Sequence, residues 1–168
     1  MNNQPINFSF NEENLKKAQN IIKKYPDTKQ KSAILPLLDL AQRQMNGWLP
    51  RVSIEYVANL LGLPFIRAYE VATFYTMFNL QPVGQYHIQI CGTTPCWLRG
   101  SDAITTICQK ELGINFGELT ADNKFSMTEV ECLGACVNAP VVQINDDFFE
   151  DLNEEKMKTI INQLKKDS

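Results

Sequence analysis

The sequence predicts an α+β protein in which a small N-terminal helical bundle, residues 1–80, is followed by an α/β domain with a mixed sheet, residues 81–168. Apolar residues repeat at helical spacing up to about residue 80, and beyond the turn-forming residues 81–84 they alternate as in strands. The charge changes as well. Residues 1–100 carry ten Lys and Arg against six Asp and Glu, whereas residues 101–168 carry six against thirteen. Such an asymmetry is expected when two domains present different surfaces.

Four helices are expected in the N-terminal domain. The first begins at Ser9, which stands three residues before Glu12 in the spacing of a capping box. The second and third helices cover about residues 33–45 and 53–61, and the fourth begins at Pro64. The large apolar side chains where the fourth helix ends are assigned to the core: Phe74, Tyr75, Met77 and Phe78. A partner interface is the alternative for these four side chains.

The C-terminal domain begins with a strand over residues 86–91, whose apolar side chains alternate with polar ones. Ser101 is expected to cap the following helix, and a second strand over residues 125–130 is expected to be bulged near Thr128. The remaining elements are a hairpin over residues 141–149 and a helix that opens at Asn153. The order β-α-β-β-β-α, with one right-handed crossover, is compatible with a thioredoxin-like domain.

Composition and charge exclude several classes of function. The chain has 168 residues, a net charge of -3 and a pI near 5.2, whereas nucleic-acid-binding domains normally carry a basic face. No apolar run approaches the roughly 18 residues that a membrane-spanning helix needs. Met1–Phe10 lacks the charged and apolar regions of a signal peptide, and no glycine-rich nucleotide-binding motif occurs. We therefore expect a soluble, intracellular, globular protein.

The five cysteines carry the chemistry that the sequence offers. Cys108 lies on the apolar stripe of a predicted helix, where a free thiol acts as a small apolar side chain. His87, the single histidine, is expected to be a surface residue with satisfied hydrogen bonds. The other four cysteines form two close pairs, each in a loop after a predicted strand: Cys91 with Cys96, and Cys132 with Cys136. These four are the candidate metal ligands.

Four uses of the paired cysteines are considered. Disulfides are favoured in oxidising compartments, so they are not expected in an intracellular protein. Thiol–disulfide exchange typically uses a Cys-x-x-Cys motif, and the sequence has none. Structural zinc sites usually have about two to four residues between paired cysteines, and the spacings of these two pairs do not strictly exclude a zinc site. A [2Fe-2S] cluster takes two thiolates at each iron, and longer loops with glycine suit its size. A zinc-stabilised interaction domain and an iron–sulfur protein both stay open.

The composition of the two loops meets the needs of an iron–sulfur cluster. Gly92 and Gly134 allow the backbone to bend or approach closely, and main-chain N–H groups are available to sulfur. A cluster with four thiolates is an anion in its oxidised form, which favours a nearby cation, and Arg99 is the candidate. The excess of acidic residues after residue 100 should disfavour the addition of an electron and so lower the reduction potential.

Residues 91–100 (CGTTPCWLRG) and 131–140 (ECLGACVNAP) resemble the thioredoxin-like [2Fe-2S] ferredoxin family of respiratory complex I, which belongs to the NADH-dehydrogenase module of NADH–quinone oxidoreductases. Residues 69–78 (YEVATFYTMF) resemble the fourth N-terminal helix of this family, and residues 142–147 (VQINDD) resemble its C-terminal hairpin. The likeness extends over about residues 10–165, with every ligand position filled. The two cysteine motifs are most similar to those of mitochondrial and alphaproteobacterial members.

The resemblance implies an electron-transfer subunit whose single [2Fe-2S] cluster is held by Cys91, Cys96, Cys132 and Cys136. The cluster would exchange an electron with the FMN of the adjacent NADH-binding subunit. The chain would belong to a proton-translocating NADH:quinone oxidoreductase and hold no complete active site alone. Its partners would be that subunit and others of the peripheral arm, and a homodimer of the isolated chain is a further expectation.

The same resemblance implies a location and leaves one alternative. The subunit would lie on the cytoplasmic side of the bacterial inner membrane, held there through the complex, or on the matrix side in a mitochondrion. The homologous diaphorase-type subunit of an NAD-linked hydrogenase or formate dehydrogenase shares the cysteine pattern. The motifs alone therefore do not separate it from a complex I subunit.

Overall fold

The computed structural model describes residues 4–167. Residues 1–3, part of the segment from which the lack of a signal peptide was inferred, lie outside the described residues, as does residue 168. The chain divides into two compact units, with the boundary between Pro82 and Val83. Each unit has an apolar core of its own. No helix among the described residues is both long and apolar enough to cross a membrane.

The described part of the first unit is a bundle of helices. Its helices are α1 (Glu12–Ile22), α2 (Ile34–Gln44), α3 (Arg51–Leu60) and α4 (Phe65–Phe74), with a 3₁₀ helix (Gln30–Ala33) leading into α2. Apolar residues at helical spacing turn one face of each helix toward a common core. Its largest fully buried side chains come mainly from α2 and α3: Leu37, Leu38, Ile54 and Val57.

Two helix starts differ from the sequence-based expectation. The cap of α1 is Asn11 and not Ser9, because the Asn11 Oδ1 accepts the N–H of Asn14 at 2.8 Å. The carbonyl of Ser9 instead accepts a hydrogen bond from Gln44 Nε2 at 2.8 Å. Helix α3 begins earlier than expected, directly after Pro50, whose extended backbone occupies the N-cap position.

The assignment of the end of α4 to the core is wrong for three of the four side chains. Phe74, Tyr75 and Met77 are 77%, 40% and 48% exposed. Phe78 is the buried member. The backbone becomes extended at Tyr75 (φ −89°, ψ 116°), which ends the helical period on which the assignment depended. The three exposed side chains, and Ile66 on α4, are large apolar groups that the unit leaves uncovered. Their exposure favours the alternative of a partner interface.

The second unit is built on a four-stranded mixed sheet with the strand order β2-β1-β3-β4. Its strands are β1 (Tyr86–Cys91), β2 (Phe125–Val130), β3 (Val142–Ile144) and β4 (Asp147–Phe149). Strand β1 pairs in parallel with β2 and antiparallel with β3, and β3 forms a hairpin with β4. Asn145, with φ 55°, makes the tight turn of that hairpin because Asn tolerates the left-handed conformation.

Three helices complete the second unit: α5 (Thr94–Leu98), α6 (Ser101–Leu112) and α7 (Glu154–Lys166). Helices α6 and α7 pack against each other and share a core with the sheet. Helix α7 opens at Asn153 as predicted, because the Asn153 side chain accepts the N–H of Lys156. Its apolar stripe buries Met157 and Ile161 completely.

Two local expectations in this unit are wrong. Gly100, with φ 95°, occupies the N-cap of α6, so Ser101 is the first helical residue and not the cap. No bulge interrupts β2, because Thr128 pairs with Gln89 within an unbroken parallel register along β1. The neighbouring strand thus supplies a regular partner that the alternation within β2 alone did not indicate.

His87 lies inside the second unit and not on its surface. It is 9% exposed, because the parallel register sets it opposite Ser126, whose side chain is also buried. The Nδ1 of His87 is 2.8 Å from the Oγ of Ser126, and that oxygen accepts the N–H of Gly84 at 2.8 Å. Burial lowers the pKa of His87 to about 4. The imidazole is therefore neutral at physiological pH and part of a buried polar cluster.

This buried imidazole predicts that the unit loses stability in mild acid. Below a pH of about 6.5 the unfolded chain protonates His87 while the folded chain resists protonation, so stability falls with pH. We expect the free energy of unfolding to fall by about 2 kcal/mol between about pH 7.5 and pH 5. His87→Asn should lose much less over the same interval. Urea denaturation followed by circular dichroism measures both, and equal losses would contradict the prediction.

Candidate metal centre

The strand order determines where the two cysteine pairs lie. Strands β1 and β2 are parallel neighbours and end at the same edge of the sheet, where Cys91 and Val130 are register partners. Strand β3 lies on the other side of β1, so the connection from β2 to β3 must cross the carboxyl end of β1. That connection contains Cys132 and Cys136. It therefore brings the second pair to the end of the strand that carries Cys91.

Cys91 and Cys96 form the buried pair. Cys91 is the last residue of β1 and is 2% exposed, whereas Cys96 lies in the short helix α5 and is 1% exposed. The sequence-based placement of Cys96 in a loop is wrong. The signal for the helix is present in the sequence, since Thr93 stands at the N-cap and Pro95 in the first turn.

Cys132 and Cys136 form the exposed pair. Cys132 lies two residues beyond β2, and Cys136 begins a 3₁₀ helix that ends at Asn138 rather than lying in an open loop. Gly134 has φ 77°, which glycine adopts without strain, and its N–H donates to the Cys132 Sγ at 3.4 Å. The Asn138 Nδ2 donates to the Glu150 Oε2 at 2.6 Å, which ties this segment to the chain before α7.

The two pairs are brought together by packing. Leu133 and Ala135 from the second loop pack against the first pair in a small apolar cluster. The Sγ of Cys91 lies 3.6 Å from the carbonyl oxygen of Glu131, next to Cys132 in the chain. All five cysteines are free thiols. The structure thus gathers four thiols at the carboxyl end of β1 without joining any of them covalently.

Three of the four thiols have shifted pKa values. Burial raises the pKa of Cys91, but hydrogen bonds from Thr93, the Leu133 backbone and Cys96 together outweigh it, and the net pKa is lowered. The Thr93 Oγ1 is 3.2 Å from the Cys91 Sγ. Burial, together with the neighbouring Cys91 and Cys136, raises the pKa of Cys96 to about 11. Desolvation and the charge of Cys132 raise the pKa of Cys136. A bound cation would offset this repulsion and keep all four thiols deprotonated.

Cys108 is set in the core of the second unit, as the sequence predicted. It is fully buried on α6 and belongs to the apolar cluster between the helices and the sheet. Burial raises the pKa of its thiol to about 12. A thiol with that pKa stays protonated and acts as a packing group.

Arg99, the expected cation, is an exposed residue at the C-cap of α5. Its guanidinium makes no hydrogen bond or ion pair within residues 4–167, so its electrostatic role stays a prediction. Sequence reasoning missed the apolar side chains that follow the ligand candidates in both loops. Trp97, Leu98 and Val137 are 56%, 71% and 94% exposed, and the Trp97 Nε1 donates to Asp102 at 2.8 Å. Their positions, one or two residues after a cysteine in each loop, were the available signal.

The donor set fits a [2Fe-2S] cluster. Within the described residues, no group of three or more His, Cys, Asp or Glu side chains converges on a single metal position. A [2Fe-2S] cluster places two protein thiolates on each of two irons, and two cysteine pairs supply them. The Gly134 N–H and the Thr93 hydroxyl supply hydrogen bonds to sulfur. Cys91, Cys96, Cys132 and Cys136 are thus the residues that would hold it.

Comparison with known proteins identifies relatives along nearly the whole chain. A family profile described as thioredoxin-like [2Fe-2S] ferredoxin matches residues 18–165. A Rickettsia conorii protein named as a subunit of NADH-quinone oxidoreductase is 65% identical over 167 residues, which cover 99% of this chain and 100% of the relative. A Dictyostelium discoideum protein named NADH dehydrogenase [ubiquinone] flavoprotein 2, mitochondrial, is 51% identical over 164 residues, which cover 98% of this chain and 66% of that protein.

A solved structure has the same fold. The crystal structure of an NAD+-reducing [NiFe]-hydrogenase in the air-oxidized state gives a TM-score of 0.67 at 22% identity over 77% of this chain. The match spans 22% of the length of that hydrogenase chain, and at this identity it shows the fold alone. The fold class and the family expected from the sequence are confirmed. Because the profile covers most of the chain and both named relatives are more than half identical to it, the chain belongs to the thioredoxin-like [2Fe-2S] ferredoxin family.

Proposed function

We propose that the chain is the electron-transfer subunit of an NADH–quinone oxidoreductase and carries one [2Fe-2S] cluster on Cys91, Cys96, Cys132 and Cys136. Relatives that are 65% and 51% identical over nearly the whole chain support the assignment to this complex. One observation carries the choice of ligands. The strand order β2-β1-β3 brings the second cysteine loop across the end of the strand that carries the first pair.

The chain's own residues hold and tune the cluster. When bound, the cluster supplies a carrier for one electron. Burial of Cys91 and Cys96 excludes water from one side of the site, whereas the exposed second pair leaves the other side accessible to a partner. Hydrogen bonds to sulfur from Thr93 and Gly134 stabilise the thiolate charge. With no nucleotide-binding motif, the chain relays electrons and relies on other subunits for the reactions of substrates.

The partner in this proposal is an adjacent subunit that binds NADH and FMN. Both units carry uncovered apolar side chains, among them Trp97 and Val137 beside the cysteines and Phe74 at the end of α4. Surfaces of this kind are commonly buried in assemblies. The subunit would lie in the peripheral arm, facing the bacterial cytoplasm or the mitochondrial matrix. A homodimer of the isolated chain has no support among the described residues and is left out of the proposal.

A second candidate is the homologous diaphorase-type subunit of an NAD-linked hydrogenase or formate dehydrogenase. The fold shared with the hydrogenase chain supports it, but only at the level of the fold. The relatives that match along their full length are subunits of NADH–quinone oxidoreductase, and they favour the first candidate. The subunits that co-purify with the chain from its own cells decide between the two.

The first prediction of this proposal concerns the metal. Anaerobically purified protein should contain about two irons and about two acid-labile sulfides per chain. After reduction with dithionite it should give the electron paramagnetic resonance signal of a reduced [2Fe-2S] cluster. A colourless protein with about one zinc per chain would instead identify the zinc-stabilised interaction domain.

The second prediction separates ligands from packing residues. Replacement of any one of Cys91, Cys96, Cys132 or Cys136 by Ala should abolish or greatly weaken the visible absorbance of the cluster. Cys108→Ala is the matched control, because it removes a buried thiol outside the site. It should retain the cluster and lose roughly 1 kcal/mol of stability in urea denaturation. Loss of the cluster in Cys108→Ala, together with its retention in one of the four, would refute the ligand assignment.

A further inference from the structure

Glu129 occupies the space above Gly92, the residue that follows Cys91. A Cβ built on Gly92 would lie 2.9 Å from the Cδ and 3.0 Å from the Cγ of Glu129, and closer still to its Oε1. Gly92 does not adopt the left-handed conformation that elsewhere requires glycine. The missing side chain at this position therefore makes room for Glu129, whose carboxylate lies against the backbone of the first cysteine loop.

The sheet places the backbone of Glu129 at the edge where the cysteines converge, and the side chain of Glu129 is exposed there. Cys91 pairs with Val130, and the Gly92 N–H donates to the Val130 carbonyl at 3.0 Å. Glu129 directly precedes Val130 and stands three residues before Cys132, so both cysteine loops adjoin it. Its carboxylate makes no ion pair or hydrogen bond within residues 4–167.

We propose that Glu129 tunes the cluster: its carboxylate, which lies against Gly92, lowers the reduction potential of the [2Fe-2S] centre. This inference rests on the proposed function, because it requires a cluster on the four cysteines. Reduction adds negative charge to the cluster, and a fixed negative charge nearby disfavours that step. The acidic composition after residue 100 indicated a low potential in general terms, whereas the packing of Gly92 assigns a share of it to one side chain.

Glu129→Gln tests the charge while keeping the shape of the side chain. In a redox titration of the holoprotein followed by electron paramagnetic resonance, the variant should have a more positive midpoint potential. We expect the ratio of reduced to oxidised cluster at a given potential to rise about tenfold, equivalent to about 59 mV for one electron. Glu129→Asp keeps the charge and should remain near the wild-type midpoint. A purely structural role would not separate Gln from Asp in this way.

Asp122→Asn is the matched control for the loss of one negative charge. Asp122 lies in the turn before β2, on the order of 15 Å from Glu129 along the chain direction. Its neutralisation should shift the midpoint several-fold less than Glu129→Gln does. Equal shifts in the two variants, or no shift in Glu129→Gln, would overturn the proposal.

Gly92→Ala provides an independent test, because it would displace the Glu129 carboxylate from its place against the first cysteine loop. It also serves if Glu129→Gln retains too little cluster to titrate. The added Cβ takes the space of the carboxylate and should move the midpoint in the positive direction. Gly92→Ala in the Glu129→Gln background should then add little, because the displaced group is already neutral. Fully additive shifts would contradict this. Absence of the cluster signal from the wild-type holoprotein would instead refute the proposed function, so the two failures are distinguishable.

Discussion

The candidate site depends on one topological constraint: the connection from β2 to β3 must cross the carboxyl end of β1. Strands β2 and β3 flank β1 and run in opposite directions, so a chain that leaves β2 returns across the strand between them. Cys91 ends that strand, and the crossing connection contains Cys132 and Cys136. The sheet order and the packing of Leu133 and Ala135 against the first pair, and not bonds between cysteines, therefore bring the two pairs together. Of the four candidate ligands, Cys91 alone ends a strand, whereas Cys96 lies in α5 and the other two lie in the crossing connection.

The polar groups at the carboxyl end of β1 concentrate negative charge, and hydrogen bonds are the main interactions that stabilise it. Thr93 and Gly134 form hydrogen bonds with the sulfurs, whereas the pKa values of Cys96 and Cys136 are raised by desolvation and by neighbouring thiols. Glu129 adds a carboxylate that makes no ion pair or hydrogen bond within the described residues. A metal centre makes such a set of thiolates stable by supplying the missing positive charge. Negative charge around such a centre would disfavour the addition of an electron.

Regular elements with a strong hydrophobic period were predictable from the sequence, and features set by distant neighbours were not. The strand over residues 86–91 and the helix that opens at Asn153 lie where the sequence predicts them. The prediction of a bulge at Thr128 was wrong because β1 supplies a regular partner along the whole of β2. The exposure of Phe74 was missed because an apolar helical face has the same period whether its own unit or another protein covers it.

By itself, the sequence determined the family and the candidate ligand set, since the number, the spacing and the glycines of the two cysteine motifs are properties of the covalent chain. It also set Cys108 apart, because helical spacing placed that thiol on an apolar stripe. Only the tertiary structure decided that His87 is buried and that Glu129 lies against Gly92. Both facts follow from the parallel register of β1 and β2, which joins residues about forty positions apart and leaves no trace in either segment read alone.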